Sequence, residues 1–181
     1  MSANPLPEPA APHLDRAGLL ALLDRLGIAS ETVDHPAVFT VAESRTLKRE
    51  IPGGHSKNLF LKDKKGRLFL VVAQAEAAID LKRLHETIGA SGRLSFGSAE
   101  LLGEVLGVLP GSVTPFAIAN DRAMRVSVVL DAGLMAHERV NFHPMENTAT
   151  TTVAREDLVR FLEATGHPPR ILALPVPPQE G

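Results

Sequence analysis

Two apolar strands joined by a charged turn stand out in the middle of the sequence: Asn58-Leu59-Phe60-Leu61-Lys62, then Asp63-Lys64-Lys65-Gly66, then Arg67-Leu68-Phe69-Leu70-Val71-Val72-Ala73. Aspartate and glycine in a four-residue connection are typical of a β-hairpin turn. The second strand is apolar at successive positions, so both of its faces must be covered. A strand of this kind lies between two layers or lines a closed barrel.

Helices and other strands surround this hairpin without a regular strand–helix–strand repeat. Leucine spacing and capping residues predict helices over 15–26, 40–49, 80–88, 98–106 and 155–164, and apolar runs predict strands over 31–35, 126–130, 140–142 and 148–153. Asp80 and Ser98 are the expected caps of two of these helices, and Thr40 with Glu43 forms a capping-box pattern. The sequence therefore predicts an α+β fold around a mixed sheet.

The length of 181 residues suits one domain. Proline clusters at both ends predict a flexible tail over 1–13 and another over 173–181, which leaves a single domain over 14–172. No apolar run is long enough to cross a bilayer and the first residues lack a secretory signal, so we expect a cytoplasmic protein without a membrane partner. The absence of Cys excludes disulfides, thiolate metal sites and a Cys nucleophile.

Positive charge is concentrated between Arg45 and Arg93. This segment holds eleven Lys and Arg against five Asp and Glu, a net charge of +6, whereas the rest of the chain carries a net charge of −8. A basic segment in an acidic protein indicates a localised surface for anions such as nucleic acid. The alternative is that these side chains only solvate a hairpin and two helices.

Lys57 is unusual because strand alternation places it on the apolar face of Leu59 and Leu61. Burying an ammonium without a partner is costly. Lys57 therefore either reaches solvent at the strand end or points into a polar pocket. In the second case it would be a fixed cation for a phosphate, a carboxylate or an ester oxygen.

Two further segments could present functional groups. The loop Gly107-Val108-Leu109-Pro110-Gly111-Ser112-Val113-Thr114-Pro115 is rigid enough to offer backbone groups to a substrate, or is a plain connector. In Asn141-Phe142-His143-Pro144-Met145-Glu146-Asn147-Thr148, His143 and Asn147 lie near a strand end. A metal site there would need His35 or His55, and no spacing supports one. Signatures of P-loops, nucleophile elbows and dinucleotide sites are absent.

Together, the segments 55–63, 107–115 and 141–144 resemble the YbaK/prolyl-tRNA synthetase-associated domain family, and most of all its PrdX (ProXp-ala) branch of Ala-tRNA(Pro) deacylases. The resemblance covers about 15–166. It implies a mixed, barrel-like β-sheet flanked by helices, with no metal and no cofactor. It also implies hydrolysis of the ester between a wrong amino acid and the 3′-terminal adenosine of tRNA(Pro). The implied partners are mischarged tRNA(Pro) and, as a second partner, prolyl-tRNA synthetase.

The resemblance also implies roles for individual residues. Lys57 matches the essential lysine of the family and His143 its pocket histidine, and these are the expected catalytic residues. No protein nucleophile is evident, which agrees with a mechanism assisted by the ribose hydroxyl of the substrate. The expected substrate-binding residues are Asn58, Gly111, Ser112, Pro115 and Asn147. Basic residues that could receive acceptor-stem phosphates are Lys62, Lys64, Lys65, Arg67, Lys82, Arg83 and Arg93.

The sequence is also compatible with two other functions. The basic segment 45–93 could belong to a nucleic-acid-binding module without catalysis, which would bind RNA or DNA in a salt-dependent way. Alternatively, the domain could bind a small molecule or a protein and lack the reaction.

Overall fold

The computed structural model describes residues 11–38 and 40–179. Its strands are β1 (Ser30–Asp34), β2 (Gly54–Lys62), β3 (Leu68–Gln74), β4 (Ser95–Phe96), β5 (Val126–Asp131), β6 (Arg139–Phe142), β7 (Ala149–Ala154) and β8 (Arg170–Leu172). Its α-helices are α1 (Arg16–Arg25), α2 (Val41–Glu50), α3 (Leu84–Ile88), α4 (Ala99–Leu106) and α5 (Arg155–Ala164). The strands form one sheet in the order β1-β7-β6-β2-β3-β5-β8, with β4 pairing on β2.

The sheet is mixed, because β2 pairs with β3 antiparallel and with β6 parallel, and β3 pairs with β5 parallel. The fold class predicted from the sequence, an α+β fold with a mixed sheet flanked by helices, is confirmed. Among the described residues, no helix combines the length and hydropathy needed to cross a lipid bilayer.

Most predicted helix starts are confirmed by their caps. The side chain of Asp15 accepts the Gly18 N–H at the start of α1, and Ser98 caps α4 in the same way. Thr40 and Glu43 form both hydrogen bonds of the capping box at the start of α2. Side-chain caps satisfy backbone donors that the first helical turn leaves free.

The predicted helix start at Asp80 is wrong, because α3 begins only at Leu84. The Asp80 carboxylate accepts the Lys82 N–H, and its carbonyl accepts the Arg83 N–H. An aspartate that binds the backbone two residues ahead stabilises a turn instead of a helix.

The β2–β3 hairpin separates two hydrophobic cores. Strand β2 begins at Gly54, four residues earlier than predicted, and β3 is buried from Leu68 to Ala73. Alternate β3 side chains enter different cores, since Val72 lies in the larger one and Val71 in the smaller one. The sequence-based prediction that both faces of β3 are covered is therefore confirmed.

Three phenylalanines form the centre of the larger core. The Phe116 ring packs edge-on against Phe142 at 5.5 Å and against Phe161 at 5.4 Å between centroids. Phe116 lies in a 3-10 helix, Pro115–Asn120, that directly follows the Gly107–Pro115 loop. This packing fixes the end of the loop to β6 and α5.

The C-terminal segment packs across the smaller core and is called the C-terminal strap here (Arg170–Pro175). It contains β8, which pairs in parallel with β5, and Leu172 and Leu174 pack against this core. The Pro175 carbonyl accepts the Asp80 N–H at 2.8 Å. Residues 1–10 and 180–181 of the two predicted tails lie outside the described residues.

Candidate functional site

Strands β2 and β6 pair briefly and then separate. They pair in parallel over 54–55 and 140–141 only. Lys57 and His143 each lie two residues beyond the last paired residues, His55 and Asn141. Ligand sites favour such points, where neighbouring parallel strands stop pairing and leave a crevice.

The Lys57 ammonium is held at this point by a backbone carbonyl. Lys57 is half-buried, and its Nζ donates a hydrogen bond to the carbonyl of Ala77, in the loop after β3. Strand alternation also keeps it on the face of Leu59, as predicted. An ammonium has three N–H donors, so two stay available for other acceptors.

His143 is neutral and has a defined tautomer. Its Nδ1 lies 3.2 Å from the carbonyl of Ala149. Because a carbonyl can only accept, Nδ1 carries the proton and Nε2 carries the lone pair. Burial lowers the pKa of His143 from its ordinary value. The ring can therefore accept a proton or a hydrogen bond at neutral pH.

Helix α2 borders three adjacent cavities that all include Val38, and they are called the α2 groove here. Their volumes are about 340, 220 and 490 Å³. The 220 Å³ cavity is lined by Val38, Ser44, Leu47, Lys48, His55, Ser56, Asn141, Phe142, His143 and Thr150. His143 therefore opens into the groove between α2 and the sheet.

Asn141 fixes the floor of this groove. It is 2% exposed, and its Nδ2 donates to the carbonyls of Pro52 and Gly54 at 3.1 and 3.2 Å. Its Oδ1 accepts the Thr152 hydroxyl at 2.5 Å. A buried amide with all these bonds joins β6, β7 and the start of β2 into one rigid unit.

One edge of β2 is open next to this floor. Within the described part of the chain, β6 pairs only with 54–55 and β4 only with 61–62. The Phe60 carbonyl accepts the Gly97 N–H at this edge. Residues two apart on a strand turn their backbone groups the same way, so the peptide groups of Asn58 also face the open edge.

The Asn58 side chain leaves an unused acceptor. Its Nδ2 donates to the Ser56 hydroxyl at 3.3 Å, and that hydroxyl donates to the carbonyl of Asn141 at 3.0 Å. Its Oδ1 is shielded from solvent and has no hydrogen-bond partner among the described residues. Strand alternation puts Asn58 and Lys57 on opposite faces of β2, so the structure does not place the two side chains in one cluster.

The Gly107–Pro115 loop meets the turn after β6. Gly111 has a φ of 90°, which a residue with a side chain rarely adopts. A Cβ atom added there would lie 3.8 Å from Nδ2 of Asn147. Ser112 is 6% exposed and Pro115 begins the 3-10 helix, so both are mainly buried structural positions.

The seven predicted phosphate-binding residues are all exposed, but several lie at the far end of the hairpin. Lys62 is five residues beyond Lys57, roughly 17 Å along the strand. Lys64, Lys65 and Arg67 lie in or beside the turn. Lys82, Arg83 and Arg93 lie around α3 and β4, and their contact with RNA stays a prediction.

Arg67 has a structural partner in this turn. Its Nε donates to the buried carboxylate of Asp63 at 2.9 Å, and its guanidinium also binds the carbonyl of Gly89. Burial would raise the pKa of Asp63, but hydrogen bonds from Ser91, Arg67 and Lys65 outweigh it and hold the pKa at about 2. This carboxylate ties the hairpin turn to the loop after α3.

Sequence reasoning missed the contribution of α2. Ser44, Leu47 and Lys48 line the groove, and their i, i+3 and i+4 spacing puts them on one helical face. The spacing of Ser44 and Lys48 was the available signal, because it places two polar side chains on one face of the predicted helix. Asn141 gave no such signal, since its role depends on pairing with a strand 87 residues earlier in the chain.

Comparison with known proteins gives a consistent result. Residues 35–161 match the family model of the aminoacyl-tRNA editing domain. The chain is 42% identical to the bovine (Bos taurus) prolyl-tRNA synthetase associated domain-containing protein 1 over 161 residues, 87% of this chain and 94% of that protein. It is 38% identical to the prolyl-tRNA editing protein ProX of Acetoanaerobium sticklandii over 153 residues, 84% of this chain and 93% of that protein.

A solved structure shares the fold. It is described as "a putative trans-editing enzyme for prolyl tRNA synthetase" and aligns with a TM-score of 0.65 at 21% identity. The alignment covers 92% of this chain and 98% of that one. At this identity the likeness shows the architecture alone.

Proposed function

Because the chain belongs to the aminoacyl-tRNA editing domain family, related to prolyl-tRNA editing proteins, we propose that it hydrolyses mischarged Ala-tRNA(Pro). Water attacks the ester carbonyl, the bond to the ribose oxygen of the terminal adenosine breaks, and free alanine and tRNA(Pro) leave. The oxygen of the leaving ribose takes up a proton, so the reaction needs no further reactant.

One observation supports this proposal most directly. The neutral His143 ring lines the α2 groove, and Lys57 lies on β2 two residues after His55, which lines the same cavity. A fixed cation can stabilise the negative charge that develops on an ester oxygen. A neutral imidazole can accept a hydrogen bond or a proton from water or from a ribose hydroxyl.

The remaining polar groups suit the aminoacyl end of the substrate. The peptide groups of Asn58 at the open strand edge can pair with the substrate carbonyl and amine, as an added strand would. By the resemblance, the Gly111 loop, which lies beside Asn147, would also contact the aminoacyl group.

Alanine is the expected amino acid for a physical reason. A synthetase pocket large enough for proline cannot strongly reject a smaller apolar side chain, because each methylene is worth only about 1–3 kcal/mol. A second pocket that admits alanine and excludes proline removes the error. Prolyl-tRNA synthetase would then supply the substrate and is the expected partner.

A panel of charged tRNAs tests the proposal. We expect the purified protein to deacylate Ala-tRNA(Pro) at catalytic concentrations and to leave Pro-tRNA(Pro) and Ala-tRNA(Ala) intact over the same period. Cys-tRNA(Pro) and Ser-tRNA(Pro) complete the panel. Faster hydrolysis of one of these would reassign the amino acid. Salt-dependent RNA binding without hydrolysis of any ester would instead support a non-catalytic binding module.

The pH dependence of the reaction should show the protonation of His143. Because burial lowers its pKa, His143 stays neutral as the pH falls to its ordinary value near 6.5 and becomes protonated only below that. We expect the rate, relative to uncatalysed ester hydrolysis, to be constant from pH 8 to about 6.5 and to fall at lower pH. His143→Gln should lower kcat by about 10²-fold and remove this acid limb.

His55→Gln is the matched control for this measurement. His55 also lines the groove, burial lowers its pKa as well, and one of its ring nitrogens also binds a backbone carbonyl, but the proposed reaction gives it no role. We expect this variant to keep the acid limb. An acid limb with a midpoint above 6.5, or one that persists in His143→Gln, would remove His143 from the reaction.

A further inference from the structure

The Glu76 carboxylate lies at the end of the α2 groove. It pairs with Lys48, and Arg45 and Lys57 lie on neighbouring parts of the chain. Lys48 Nζ lies 3.1 Å from Oε1 of Glu76, whose side chain is 72% exposed. The hydrogen bond and charge of Lys48 lower the pKa of Glu76, and the charges of Arg45 and Lys57 add to this effect. Glu76 directly precedes Ala77, the carbonyl partner of Lys57.

Arg45, Lys48 and Glu76 border an open cavity. This cavity, of about 490 Å³, is lined by Val38, Thr40, Ser44, Arg45, Lys48, Ala75 and Glu76. Two cations against one carboxylate leave an excess of positive charge beside a space large enough for a ligand. Such an arrangement favours an anion that can accept several charge-assisted hydrogen bonds.

The ion pair between Lys48 and Glu76 is weak enough for another anion to replace the Glu76 carboxylate. Both partners reach solvent, and an exposed ion pair contributes little because water and salt screen it. A phosphate group offers more acceptor oxygens than a carboxylate to Arg and Lys donors. An incoming phosphate could therefore take the place of Glu76 without disrupting the core.

We propose that Arg45 and Lys48 bind a backbone phosphate of the single-stranded 3′ end of the tRNA, and that the Glu76 carboxylate occupies this phosphate position in the free protein. This inference rests on the proposed function, because Lys57 next to the cluster marks where the terminal adenosine binds. Glu76 acts as an internal competitor that lowers affinity for RNA. The far-end cations Lys64 and Lys65 then have a smaller role at the 3′ end.

Binding of uncharged RNA tests this assignment without any reaction. The probe is a fluorescent acceptor-stem hairpin of tRNA(Pro) that ends in CCA, titrated at several salt concentrations. We expect Lys48→Gln and Arg45→Gln each to weaken binding about five- to tenfold and to reduce the salt slope by roughly 0.7 per charge. Glu76→Gln should tighten binding about three- to tenfold.

The controls separate this position from general attraction to RNA. Arg25→Gln removes an exposed cation at the end of α1 and Glu163→Gln removes an exposed carboxylate on α5, so each should change the dissociation constant less than twofold. A hairpin without its CCA end should bind all these variants and the wild type with similar affinity. Circular dichroism melting of each variant checks that the fold is intact.

Several outcomes would overturn the inference. These are no binding of the hairpin, equal effects of Lys48→Gln and Arg25→Gln, unchanged or weaker binding by Glu76→Gln, or effects that persist on the hairpin without CCA. The proposed function is tested independently by the deacylation panel. Hydrolysis of Ala-tRNA(Pro) with RNA binding insensitive to Lys48 and Glu76 would reject only the phosphate position, whereas the expected binding pattern without hydrolysis would reject only the reaction.

Discussion

Lys57→Met is expected to lower kcat/KM for Ala-tRNA(Pro) hydrolysis by about 10²–10³-fold, the loss typical for one donor that stabilises developing negative charge. Methionine keeps a long apolar stem beside Leu59 but removes the ammonium that binds the carbonyl of Ala77. The loss should therefore come from the missing charge and not from altered packing. Rates follow from single-turnover hydrolysis of labelled Ala-tRNA(Pro).

Two further variants test whether the loss in Lys57→Met comes from the missing charge. Lys57→Arg keeps the charge but replaces a compact ammonium by a planar fork, so we expect only partial recovery of activity. Arg25→Met removes an exposed cation at the end of α1 and should stay within twofold of the wild type. Wild-type turnover by Lys57→Met would show that the ammonium takes no part in the reaction.

Phe116→Ala is expected to give the largest loss of stability, about 3–5 kcal/mol in the free energy of unfolding. Phe116 is completely buried and packs edge-on against both Phe142 and Phe161. Alanine leaves a cavity between β6, α5 and the 3-10 helix. Urea unfolding followed by circular dichroism measures the change.

Phe96→Ala is the matched control for this prediction. The Phe96 side chain is 61% exposed at the short strand β4, so its removal should change the free energy of unfolding by less than about 0.5 kcal/mol. Phe116→Leu fills part of the cavity and should lose less stability than Phe116→Ala. Similar losses for Phe96→Ala and Phe116→Ala would contradict the assignment of Phe116 to the centre of the core.

The sequence predicts the elements whose signals are local. Thr40 and Glu43 lie within one helical turn of each other, and their capping box is present as predicted. The hairpin is equally local, because its turn and both of its strands lie between Gly54 and Gln74. Asp80 shows the limit of this approach, since the same side chain can cap a helix or stabilise a turn, and here the turn is stabilised.

The candidate site depends on contacts between residues far apart in the chain, which local sequence signals do not predict. The parallel pairing of β2 with β6 joins residues 54–55 to 140–141. The partner of Lys57 is a backbone carbonyl, which every residue has, so no residue type marks Ala77 in the sequence. The charge distribution of the sequence locates the basic segment, but only the fold shows that Lys48 binds Glu76, the residue directly before Ala77, the partner of Lys57.

The C-terminal strap is synthesised much later than the loop after β3 with which it forms a hydrogen bond. Its Pro175 carbonyl binds Asp80, and Leu174 packs beside the same loop that offers Ala77 to Lys57. During translation Lys57 is synthesised long before Pro175, so a nascent chain already contains the ammonium and its strand but not the segment that secures its partner loop. The hydrogen bond between Asp80 and Pro175 can therefore form only after the strap has left the ribosome and docked.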